Sequence, residues 1–376
     1  MYLLGCDIGC SSVKVSIVDA ETGKTVGADF YPKVEAPIKA PRPGWAEQNP
    51  DDWWLYVSKA IQGALGKSGV NGEDIAAIGL AYQMHGLVVV DKNKTVLRPS
   101  IIWCDSRAVP YGDCAFHTIG EKRCLYHLLN SPGNFTASKL AWVKEYEPNL
   151  YRSIYKIMLP GDYIAMRMTG EIATTVPGLS EGVVWDFQEN KVSDDIFSYF
   201  GFDKELIPDI CPTFGVQGEL LGTVAAELGL KKGIPVTYRA GDQSNNALSL
   251  NVLNPGEVAA TAGTSGVVYG VNDKLNFDVL SRVNTFAHVN HTKEQPRLGT
   301  LLCINGVGIL NSWIKRTIAP EGVNYEQLNR LAESVPIGSE GISILPFGNG
   351  AERMFENKQV ECAILCSNVN IHGKVH

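Results

Sequence analysis

The stretch CDIGCSSVKVSIVD, residues 6–19, decides how this chain is read. Two runs of alternating apolar residues flank Gly9-Cys10-Ser11-Ser12, and an acid, Asp7, stands at the end of the first run. The alternation predicts a strand, a tight turn and a second strand, and KTVGADFYP, after the AETG turn, predicts a third. A Gly/Ser turn lets successive backbone N–H groups converge on an anion, and hydroxyls add donors. An ordinary hairpin turn is the competing reading, but Asp7 weighs against it. A carboxylate beside such a turn is explained by a magnesium ion bridging it to phosphates.

The same plan returns later in the chain. Gly263-Thr264-Ser265-Gly266-Val267 followed by an apolar run ending in Asp273 repeats the spacing of Gly9 to Val13 followed by a run ending in Asp19. Two such units predict two domains, residues 1–250 and 251–376, built on one plan and facing each other across a cleft. The length of 376 residues agrees, because single cores stop growing near roughly 250–300 residues. A hydrophobic content of 45% supplies cores, and a net charge of -7 offers no broad positive field for nucleic acid or an anionic membrane. There is no basic leader and no apolar run of membrane-spanning length. The nine scattered cysteines lack any C-x-x-C pair and read as reduced thiols. The expectation is a cytoplasmic protein with small-molecule ligands.

Other stretches add chemistry. Asn49 and Pro50 predict a helix start, with Trp53, Val57, Ile61 and Leu65 as its apolar stripe. IAAIGLAY (75–82) and LVVVD (87–91) read as buried strands flanking the turn QMHG, whose Gln83, Met84 and His85 mix polar, apolar and imidazole groups as a polyol pocket needs. KLAWVKEYEP reads as a helix stopped by Pro148. In AGDQSNN, Asp242 follows a buried strand and opens a helix; it is either a helix cap or a general base that takes a proton from a substrate hydroxyl attacking phosphorus. WCDSR (103–107) is either a pocket edge or a turn pairing Asp105 with Arg107. Cys362, Cys366, His372 and His376 imitate a zinc pattern, but the gap between the pairs is too short for a finger. No G-x-x-x-x-G-K-[ST] occurs, which excludes a P-loop.

Taken in order, DIGCSSVK, GWAEQNPDDWW, QMHG, WCDSR, LPGDYIAMRMTGE, AGDQSNNA and GTSGV resemble the FGGY carbohydrate kinases, and QMHG with WCDSR resembles the xylulokinase branch. The resemblance implies an α/β, actin-like ATPase fold of two ribonuclease-H-like domains around a cleft. It implies ATP and Mg2+, with phosphates on Gly9, Cys10, Ser11, Ser12 and on Gly263, Thr264, Ser265, and with Asp7 placing the metal. It makes Asp242 the catalytic base and puts Gln83, Met84, His85, Asp242 and Gln243 on the sugar. The implied reaction moves the γ-phosphoryl of ATP to the 5-hydroxyl of D-xylulose; L-ribulose, glycerol and gluconate are alternative acceptors, and a homodimer is a possible assembly. Two departures stand out. Cys10 replaces a common threonine, and the sequence ends at NVNIHGKVH where family members continue through a glycine-rich loop against adenosine. The second domain is therefore expected to be incomplete, with uncovered apolar strands, and a chain that binds sugar without productive ATP binding is the alternative to a working kinase.

Overall fold

In the computed structural model the opening alternation folds as expected: β1 (Tyr2–Ile8) pairs antiparallel with β2 (Val13–Asp19), which pairs with β3 (Thr25–Tyr31). The structure describes residues 1–262, 266–304, 306–347, 351–355 and 358–366. The alternation sorts the faces of this sheet. Leu4, Cys6, Ile8, Val13, Val15 and Ile17 are buried on one side. Gly5, Asp7, Lys14 and Ser16 fall on the other and line a groove of about 560 Å³.

Two further strands join by crossover. β4 (Ile75–Tyr82) runs parallel to β1, and β5 (Val236–Gly241) runs parallel to β4, giving the order β5-β4-β1-β2-β3. Only β2 runs against the rest, which is the ribonuclease-H-type arrangement. The register sets Ile8 beside Tyr82 and Tyr82 beside Gly241. The chain therefore leaves three adjacent strands at one level, at their carboxyl ends, the edge where open α/β sheets collect ligands.

Helix α1 (Pro50–Ser68) covers the apolar face. It starts where the sequence predicts: the Asn49 side chain accepts the Asp51 N–H, Pro50 occupies the first turn, and Gly69 ends the helix at φ 66°. Trp53, Val57 and Ile61 of the predicted stripe are buried in the first core, and Leu65 packs against it. A second core forms around α2 (Thr136–Tyr146), with Met84, Phe135, Leu140, Trp142 and Phe286 among its members. α2 ends before Pro148 as expected, and Pro148 also opens a separate single turn, Pro148–Tyr151, because proline is favoured at the first helical position. α3 (Pro160–Thr169), α4 (Val176–Glu181) and α5 (Asp242–Ser249) complete the elements that frame the strand ends.

The chain divides into two compact units. The first is Met1–Glu257 with Val271–Phe277 and Thr285–Gly299; the second is Val258–Gly270, Asp278–Asn284 and Thr300–His376. β6 (Val258–Ala262) pairs antiparallel with β7 (Gly266–Asn272), and both fall in the second unit up to Gly270. α6 (Val307–Thr317) and α7 (Tyr325–Glu333) follow. A small pair, β8 (Ile342–Leu345) with β9 (Ala363–Cys366), leaves Ile344, Leu345, Ile364 and Leu365 exposed.

Candidate active site

Three chain segments leave the aligned ends of β1, β4 and β5, and each carries residues singled out in the sequence. The first is the turn after β1. The Gly9 N–H donates to the Ser12 carbonyl at 3.2 Å, and a Cβ at position 9 would stand 3.0 Å from that oxygen, so the turn is tight enough to favour glycine. Ser11 is exposed, and Gly9, Cys10 and Ser12 are half-buried. The Cys10 carbonyl accepts from Gln48 Nε2 at 2.6 Å, and the Ser11 carbonyl accepts from the Ala36 N–H at 2.8 Å. Asp7 is half-buried with Lys14 Nζ 3.3 Å from its carboxylate. The second expected phosphate turn, Gly263, Thr264 and Ser265, lies outside the described residues.

The second segment is Gln83-Met84-His85-Gly86. The Gln83 N–H donates to the Ile8 carbonyl at 2.9 Å, which ties this turn to the end of β1. Gln83 Nε2 donates to Gln48 Oε1 at 3.2 Å, and Trp53 Nε1 reaches the same oxygen at 3.1 Å. Gln48 thus joins the Gly9–Ser12 turn, the QMHG turn and α1. Met84 is buried, and His85 is half-buried with left-handed backbone at φ 62°. His85 Nδ1 lies 2.9 Å from the Glu181 carbonyl. A carbonyl only accepts, so Nδ1 carries a proton and donates to it. Phe135 packs edge-on to the imidazole with centroids 4.7 Å apart.

The third segment is the β5–α5 junction. Asp242 is the first residue of α5, and Gly241 holds the cap position without a side-chain cap. The helix-cap alternative therefore fails for Asp242. Its carboxyl is raised to about 7, first by burial and then by the Asp7 carboxylate, while hydrogen bonds from Gln243 and the more distant Lys14 act the other way. A Cβ on Gly241 would come within 2.5 Å of Glu181 Oε2 and 2.7 Å of Met84 Cγ, so glycine is what allows these two side chains to pack against the backbone there.

Several residues here carry no sequence signal of their own. Glu181, at the end of α4, is buried, and its pKa lies well above the carboxylate range because of burial, Asp242 and Asp162. Asp162 and Arg239 form a buried ion pair at 2.9 Å that anchors α3 to β5. Lys139 is wholly buried and donates to the His85 carbonyl at 2.8 Å. It had a legible signal: in α2 it falls on the face marked by Thr136, Leu140 and Val143. WCDSR resolves as the turn pair: Arg107 grips buried Asp105 and reaches Glu47 at 2.7 Å, with Trp45 under its guanidinium at 3.7 Å. Cys362 and Cys366 are exposed, His372 and His376 lie outside the described residues, and no metal-ligating cluster occurs among the described residues. Nor, among the described residues, is any helix long and apolar enough to cross a membrane.

Residues 2–249 match the model of the N-terminal domain of the FGGY family of carbohydrate kinases. The chain is 32% identical over 359 residues to the xylulose kinase of Bacillus subtilis (strain 168), covering 92% of this chain and 68% of that protein. It is 33% identical over 289 residues to the xylulose kinase of Escherichia coli (strain K12), covering 77% of this chain and 58% of that one. Among solved structures, a "xyloylose kinase" from Brucella ovis superposes with TM-score 0.86 at 26% identity, covering 98% of this chain and 74% of the other. Plasmodium falciparum glycerol kinase with ADP superposes with TM-score 0.85 at 17% identity, covering 98% and 73%, a likeness of fold alone.

Proposed function

Because this chain belongs to the FGGY family of carbohydrate kinases, we propose that it phosphorylates D-xylulose, moving the γ-phosphoryl of ATP to the 5-hydroxyl with Asp242 as general base. One observation carries the reading: Asp242, the Met84–His85 pair and the Gly9–Ser12 turn leave neighbouring strand ends within the first unit. In the proposed step the Asp242 carboxylate accepts the hydroxyl proton as the sugar oxygen attacks the γ-phosphorus. The bond from that phosphorus to the β–γ bridging oxygen breaks, and ADP leaves with its electron pair. A carboxyl poised near 7 suits this work, since it is a stronger base than an ordinary aspartate yet still about half ionised at neutral pH.

Met84 gives the sugar an apolar wall, His85 an imidazole edge, and Gln243 an amide beside the base. The N–H groups of Gly9 to Ser12 and the hydroxyls of Ser11 and Ser12 hold phosphate oxygens, with Lys14 as a nearby cation. Gly263, Thr264 and Ser265 are assigned the second phosphate contact by their repeat of the first motif. The Asp7 carboxylate, close enough to Asp242 to raise its pKa, makes an acidic, oxygen-only donor set that fits a hard cation. Asp7 would hold Mg2+, which supplies charge neutralisation for the phosphates. The chain is further proposed to be cytoplasmic and to act without nucleic acid or membrane.

The test is magnesium-dependent ADP release by this chain with D-xylulose, L-ribulose, glycerol and gluconate in parallel. Release with D-xylulose in preference to the others supports the assignment. Release with another acceptor moves the substrate but keeps the chemistry, and release with none overturns the kinase reading for this chain.

A further inference from the structure

A wholly buried lysine is costly unless its charge is used, and Lys139 makes no ion pair among the described residues. Burial lowers its ammonium to about 7, with Asp105 and Glu181 as the carboxylates whose fields oppose that fall. Its printed hydrogen bond runs to the carbonyl of His85 at 2.8 Å, and Thr136 Oγ1 approaches the same oxygen at 3.3 Å. His85 holds φ 62°, a conformation that L-residues adopt at a cost. Its ring is fixed on the other side by the Glu181 carbonyl at 2.9 Å, by Phe135 and by Phe286 at 5.3 Å between centroids. The strained peptide is therefore held by donors on its carbonyl and by an acceptor and aromatic walls on its ring.

Resting on the assignment of the QMHG turn to the sugar, we propose that Lys139 is a positioning residue for substrate: its ammonium clamps the His85 carbonyl, keeps His85 left-handed, and so sets where Met84 and the imidazole meet the sugar. Lys139 touches neither sugar nor nucleotide in this scheme. Its loss therefore acts on sugar binding and not on the phosphoryl step.

The experiment compares the native chain with Lys139→Met, which keeps the length and packing of the side chain and removes the donor. Steady-state kinetics read KM for the sugar, KM for ATP and kcat. Amide hydrogen exchange, which needs no substrate, reads residues 83–86 against residues 75–82. The expected result is a sugar KM raised by about tenfold, the effect of one charge-assisted hydrogen bond. The ATP KM and kcat should stay within about twofold, and exchange should accelerate at 83–86 alone. A merely structural lysine would lower the active fraction, and with it kcat, while leaving sugar KM unchanged.

If Lys139→Met does not fold, Lys139→Leu carries the same comparison. Native sugar KM with native exchange in whichever variant folds overturns the proposal, as does failure of both to fold. If the native chain phosphorylates no sugar, the kinase reading fails separately, and the exchange comparison decides the clamp by itself.

Discussion

Asp242→Asn tests the site through two readouts that move in opposite directions. The carboxyl rises from 3.8 to about 7 on folding, so between those values the native chain holds a proton that the unfolded chain has lost. Stability therefore falls as pH rises through that window and is level above it. At about 1.4 kcal/mol per unit, the ionised carboxylate costs on the order of 2–4 kcal/mol at pH 8, the lower figure allowing for solvent reaching a half-buried group. Asparagine keeps the shape and carries no charge. The variant should match the native chain in urea denaturation near pH 4, and its advantage should open between pH 4 and 7 and then hold constant. Phosphorylation should fall by about 10²- to 10⁴-fold, the usual worth of a positioned base. The acidic limb of native kcat/KM should titrate near pH 7. A stability difference that stays flat with pH, or a rate within about threefold of native, refutes the assignment of Asp242.

Three further substitutions probe how the site is held together. Gly241→Ala places a methyl 2.5 Å from Glu181 Oε2 and 2.7 Å from Met84 Cγ, and since the backbone there is unstrained at φ -61° the effect is purely steric. It should destabilise by about 1–3 kcal/mol and raise sugar KM by about tenfold; calorimetric sugar titration equal to native would count against Met84 as a sugar contact. Gln48→Leu removes acceptor and donor from Cys10, Gln83 and Trp53 together and should cost about 2–4 kcal/mol by urea denaturation while raising KM for both substrates. An effect on only one KM would show that the two turns are not coupled through Gln48. Arg239→Met strands the Asp162 carboxylate and should cost about 3–5 kcal/mol at pH 8. The loss should shrink toward acid pH, where protonation relieves the stranded charge, and a pH-independent loss would mean that packing alone is at stake.

Within CDIGCSSVKVSIVD, alternation is a local property, and it was enough to specify the hairpin, its buried face and the position of Asp7 beside the turn. IAAIGLAY likewise became Ile75–Tyr82, and Asn49-Pro50 opened α1, because caps and strand patterns act over a few residues. The stop of α2 before Pro148 was legible in the same way, while the separate turn that Pro148 opens was not, since a proline that cannot continue one helix is well suited to begin another. The motif resemblance singled out Asp242 as a candidate base, but its protonation was not legible there. The rise to about 7 depends on burial and on Asp7, 235 positions away (242 minus 7).

Glu181, Gln48 and Arg239 have the same explanation. Each matters through a partner distant in sequence, and each was fixed only when the parallel register brought Ile8, Tyr82 and Gly241 to one level. Sequence by itself determined the strands, the turns and the kind of chemistry, because propensity and side-chain type are local. Tertiary structure decided which buried charges face one another and which carbonyl a lysine clamps. Desolvation and Coulomb energy depend on distance through space, and a linear order of residues does not contain that distance.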